Sequence, residues 1–137
     1  MAGAPGFEKH PDYEVSIAPT QTHIRVLAGD NVIADTKSPL AVTESRHHPV
    51  WYLPMTDVDQ TLIEPTDTST YCPFKGHASY WSLTSSDGML KDVMWAYLAP
   101  FDECMPLAGY VAFYTERVDL EIDGELASRQ GPGWIDR

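Results

Sequence analysis

Basic residues are scarce in this 137-residue chain: nine Lys and Arg stand against twenty Asp and Glu, a net charge of −11. A protein that grips nucleic acid or an anionic membrane surface needs a basic stripe to neutralise phosphates, and none is present. Long apolar runs are also missing, and no stretch approaches the roughly 18 to 20 residues of a membrane span. The first ten residues hold Pro, Gly, Glu and Lys where a signal peptide would carry its hydrophobic segment, so the expected location is cytoplasmic. Cysteine is nearly absent too. Cys72 and Cys104 lie far apart in a chain that does not need a disulfide staple, and no C-x-x-C knuckle is available for structural zinc. These counts point to no structural metal site and leave the cofactor unknown.

What remains is a chain with 43% hydrophobic residues, large enough to bury one core. Residues 1–12 lack any period and read as a flexible lead-in, residues 13–126 as a single domain, and residues 127–137 as a Gly- and Pro-rich tail in which Trp134 could dock. Within the domain the period is two. Tyr13, Val15 and Ile17 share a face; residues 23–27 and 32–34 flank the turn formers Ala28-Gly29-Asp30-Asn31; short strands follow at 40–43 and 51–53. The strongest hairpin joins residues 77–83 to 89–97, with Met89, Val93, Trp95 and Tyr97 expected on one face. Closing strands are expected at 110–114 and 118–122, after which Asp123-Gly124 turns the chain away from the sheet. Only residues 56–64 look helical, as one short helix or a couple of turns, with Thr56 as N-cap, Asp57 and Asp59 in the first turn, and Pro65 ending the segment before a polar stretch to Thr70. Many short strands with one short helix make a mainly β domain of antiparallel strands.

Chemistry concentrates in the middle of the chain. Twelve of the fifteen aromatic residues lie between positions 51 and 114, a span in which Lys75 and Lys91 are the cations. Lys75 precedes Gly76, which lets backbone approach a ligand, and follows a run of hydroxyls ending at Thr70. A cation among aromatics and hydroxyls suits a small anionic ligand. The candidate catalytic residues are Lys75, Glu44 as a base at a strand end, and Cys72, whose thiol has Lys75 and His77 close in sequence. The candidate ligand-binding residues are Lys75, Tyr71, Tyr80, Trp81, Thr70, Trp95 and Tyr110. Each has a plainer reading as core, ion pair or solvated face, since aromatic residues dominate cores anyway. Asp57-Val58-Asp59 is a D-x-D that either binds a divalent ion or merely caps the helix.

The ordered motifs Glu64-Pro65, Thr70-Tyr71-Cys72-Pro73-Phe74-Lys75-Gly76, Tyr80-Trp81, Trp95-Ala96-Tyr97 and Gly109-Tyr110-Val111-Ala112-Phe113-Tyr114 resemble those of the bacterial domain-of-unknown-function family numbered 427. The likeness spans about residues 22 to 123. It implies a fold similar to the Mss4-like β complex, a tent of sheets, and carries a nucleotidyltransferase label, hence a nucleotide as partner. Relatives of that fold often hold zinc on paired C-x-x-C knuckles, which this sequence does not contain. A non-catalytic metabolite-binding domain and a self-associating homodimer are the alternative expectations.

Overall fold

The computed structural model describes residues 3–45, 48–86 and 88–127. The expected tail from residue 128 onward, with Trp134, lies outside the described residues, as does His47. Among the described residues eleven strands form two antiparallel sheets. The larger sheet contains β1 (Val15–Pro19), β4 (Leu40–Glu44), β5 (Val50–Pro54), β6 (Ile63–Cys72), β7 (Gly76–Ser85), β8 (Gly88–Ala96) and β9 (Tyr110–Phe113), in the order β1-β4-β5-β9-β8-β7-β6. The smaller contains β2 (Ile24–Ala28), β3 (Asn31–Thr36), β10 (Asp119–Ile122) and β11 (Glu125–Leu126), in the order β11-β10-β2-β3. The mainly β reading therefore holds, and two sheets leaning on one another are compatible with a tent.

Alternation within the strands divides the interior in two. Ile24 and Val26 of the small sheet meet Leu53, Leu83, Met94, Val111 and Phe113 of the large one, an aliphatic core between the sheets. The opposite face of the large sheet collects Tyr52, Tyr80, Trp95 and Tyr97 with Leu40, Val42 and Ala112. A 3-10 segment at Asp102–Leu107 brings Cys104 and Leu107 to that second cluster. Fully burying each large side chain is worth about 1.5 to 3 kcal/mol, so both clusters contribute to stability.

Four local expectations are corrected. The helical segment expected over 56–64 takes the form of a couple of turns, two 3-10 segments at Met55–Asp57 and Gln60–Leu62, but with a different cap. Val58 between them is extended and bridges to Ala34 of the small sheet, which interrupts helical bonding. Thr56 caps nothing; Asp59 caps the second turn. The polar stretch after Ile63 is the long strand β6. As an edge strand exposed over most of its length, it has no apolar face to advertise itself. In β8, Asp92 takes φ 54° at a register shift opposite Trp81 and Leu83, so Val93 joins Met94 in the aliphatic core while Trp95 and Tyr97 face the other way. Finally, Asp123 and Gly124, with φ of 51° and 86°, do not lead the chain away; they fold it into a tight hairpin that pairs β11 with β10.

Order also reaches into the lead-in segment. Residues Gly6–Lys9 make one helical turn, α1, with Ala4 and Gly6 buried. The Ala4 N–H donates to Glu103 Oε1 at 2.8 Å and the Gly6 N–H to the Pro73 carbonyl at 2.9 Å. A Cβ on Gly6 would come within 2.7 Å of the Phe74 ring, so only glycine fits this strap.

Candidate functional site

The site is built on the turn between β6 and β7. The Lys75 N–H donates to the Cys72 carbonyl at 3.3 Å, and the Phe101 N–H donates to the Lys75 carbonyl at 2.9 Å, fixing the turn from both sides. Gly76 follows with φ 123°, and a Cβ there would lie 3.4 Å from the Ala99 carbonyl oxygen. The turn is thereby aimed inward, and the Lys75 side chain is only 6% exposed. Its ammonium donates to Glu44 Oε1 at the end of β4. The other carboxylate oxygen, Oε2, accepts from the Tyr13 hydroxyl at 2.5 Å. Tyr13 in turn stacks on Phe74, ring centroids 4.0 Å apart, and Phe7 of the strap meets the same ring edge-on at 5.0 Å. A cation, a carboxylate and a phenol are thus held as one hydrogen-bonded unit, which is how a buried charge pair avoids an unmatched desolvation cost.

This unit forms one wall of a cavity of about 360 Å³. The other walls come from alternate residues of β5, from Tyr80 of β7, from Trp95 of β8 with Tyr97 just beyond it, and from the residue after β9. Trp95 Nε1 donates to the Tyr52 hydroxyl at 3.3 Å, and the Tyr114 ring lies 4.6 Å from Trp95. Tyr80 shares a hydrogen bond with Thr70 at 2.9 Å and reaches Tyr114 at 3.5 Å. Burial pushes the phenols of Tyr52 and Tyr97 well above their ordinary range, and Tyr13 and Tyr114 follow in the same direction, each helped by a hydrogen bond, to Glu44 and to Tyr80. These hydroxyls stay protonated through neutral pH. Beyond the Tyr13–Phe74 stack, a second and open hollow is lined by Lys9, His10, Asp12 and Ser45.

Of the residues singled out from the sequence, Lys75, Glu44, Cys72, Tyr71, Tyr80 and Trp95 line this one cavity. Thr70 stands behind it, bonded to Tyr80. Trp81 does not join them: the pleat turns it to the other face, against the aliphatic core. Tyr110 packs beside the aromatic cluster but is not part of the lining. Sequence reasoning missed Tyr13, Tyr52, Tyr97 and Tyr114. Tyr97 was readable, since it shares a face with Trp95 two residues earlier; Tyr13 was not, because its partners are 31 and more positions away. Asp59 accepts from both the N–H and the hydroxyl of Thr61, which holds its carboxyl below the usual range. Among the described residues no three His, Cys, Asp or Glu side chains gather as metal ligands. Cys104 lies behind the turn, its thiol donating to the Phe74 carbonyl at 3.5 Å and pushed up to about 11 by burial.

Fold and site together define a two-sheet antiparallel β domain, closed between its sheets and hollowed on one outer face. The chain belongs to the family described as Domain of unknown function (DUF427), whose sequence profile matches residues 16–124. No curated relative matches it.

Proposed function

We propose that the domain binds a small planar organic molecule in the cavity beside Lys75, one that presents oxygen acceptors and carries at most a single negative charge. The observation that supports this most is the Lys75–Glu44 pair in the wall of a cavity lined by Tyr52, Tyr80, Trp95, Tyr97 and Tyr114. Flat aromatic walls favour a flat ligand, and the volume lies at the lower end of small-molecule sites. Because Glu44 already balances the Lys75 charge, the pair attracts a polyphosphate weakly, and the −11 net charge adds repulsion. The small anionic ligand expected from the sequence is thereby narrowed to a monoanion or a neutral acceptor, and the nucleotide is disfavoured.

Thermal-shift measurements with benzoate, benzamide and ATP with Mg²⁺ test the reading. Benzoate or benzamide raises the melting temperature by several degrees when well above its dissociation constant, and Lys75→Met removes the benzoate shift. A shift with ATP alone would reverse the proposal in favour of nucleotide chemistry.

One observation favours a second reading, an enzyme: Cys72 shares the cavity wall with Lys75 and Glu44, a nucleophile beside a cation and a carboxylate. Recovering a bound ligand unchanged after prolonged incubation with stoichiometric protein argues for binding alone. Self-association is decided by light scattering in dilute solution.

A further inference from the structure

Hydrogen-bonding capacity on the cavity wall is uneven. The acceptor side is occupied, because the Glu44 oxygens take hydrogen bonds from Lys75 and Tyr13. The donor side is not. Tyr52 accepts from Trp95, and its own O–H has no acceptor among the described residues. Tyr97 is only 9% exposed, lines the cavity, and makes no hydrogen bond to any described residue. Among the described residues no sealed side-chain oxygen lacks a partner, so the little exposure Tyr97 retains reaches its hydroxyl. A phenol nine-tenths buried whose O–H still reaches the cavity needs an acceptor there, either water or a ligand that displaces it.

We propose that the Tyr97 and Tyr52 hydroxyls form a donor site for the carbonyl oxygen of a planar conjugated molecule whose ring lies beside Trp95. This rests on the small-molecule reading above and adds the group that the ligand must carry. A phenol is protonated at neutral pH and burial raises both of these further, so each keeps a proton to donate, Tyr52 while its oxygen accepts from Trp95. Both belong to the large sheet and its immediate continuation, Tyr52 on β5 and Tyr97 one residue beyond β8, so the donors are fixed before any ligand arrives. Preorganised donors of this kind discriminate strongly, since a ligand without the acceptor leaves them buried and unmatched.

The test uses acetophenone and ethylbenzene, which share a ring and differ in the carbonyl, titrated calorimetrically into the wild-type chain and into Tyr97→Phe. The wild type binds acetophenone more tightly than ethylbenzene; Tyr97→Phe weakens acetophenone by about tenfold and leaves ethylbenzene within about twofold. The carbonyl stretch of bound acetophenone lies at lower frequency in the wild type than in the variant, a change that loss of packing alone does not produce. Melting curves establish that Tyr97→Phe is folded, and Tyr52→Phe repeats the measurement from the other donor. If both probes bind equally and neither substitution distinguishes them, the donor site is wrong while the cavity reading stands. If neither probe binds the wild type, both fall.

Discussion

At β9 the chain serves two interiors in alternation: Val111 and Phe113 enter the core between the sheets, whereas Ala112 and the following Tyr114 face the hollow side. β8 does the same, with Met94 and Ala96 one way and Trp95 and Tyr97 the other. The first interior is aliphatic and fills itself, since Ile, Leu, Val and Met adapt to close gaps. The second is built of flat rings with hydroxyls that need partners, and flat rings around a buried ion pair leave a cavity of about 360 Å³. One sheet therefore carries a structural face and a chemical face, and the difference lies in side-chain shape and polarity rather than in burial.

That contrast can be broken most severely at the ion pair. Lys75→Met takes the cation away from the largely buried Glu44 carboxylate and destabilises the domain by about 4 kcal/mol in urea unfolding, whereas pairing it with Glu44→Leu restores most of the loss. Failure of the second substitution to compensate would show that Lys75 stabilises through other contacts. Next comes the aliphatic face, where Leu53→Ala opens a cavity and costs about 3 kcal/mol with no change in ligand shifts. Gly6→Ala is smaller, about 1 to 2 kcal/mol, because the new methyl meets Phe74 and unseats the strap. Limited proteolysis reads it, with cleavage ahead of residue 13 faster than in the wild type.

The smallest effect separates the faces by pH. Tyr52 and Tyr97 have raised folded-state pKa values, as does Cys104 at about 11. An acid raised in the native state stays protonated there while the unfolded chain ionises, so its stabilisation is complete below the ordinary values of 9.0 and 10.0 and falls as pH rises above them. The melting temperature should decline from about pH 9 to pH 11, and Tyr52→Phe should flatten that decline. Leu53→Ala should lower the whole curve without changing its slope.

Much of this arrangement was legible in the sequence, and the remainder was hidden for definable reasons. Period-two alternation identified β2, β3 and β7 because each has a buried face. It failed for β6, whose Thr, Ser and Pro are exposed at a sheet edge, and at Asp92, whose left-handed backbone resets the alternation from within a residue type that gives no warning. Lys75 was visible as an isolated cation among aromatics. Glu44 was visible only as a candidate base named beside Lys75, not as its ion-pair partner, and the closure by Tyr13 not at all, since contacts spanning 31 positions leave no local pattern.

The alternation between the two interiors also guards the pairing of strands. A slip of β8 or β9 by one residue would exchange their faces, sending the Trp95 indole N–H and the Tyr114 hydroxyl into the aliphatic core and bringing Met94 and Phe113 against the Lys75–Glu44 pair. Such a misfold would be penalised on both sides at once. The same residues that make one face chemically distinct thus act as a proofreading code for the register of the sheet.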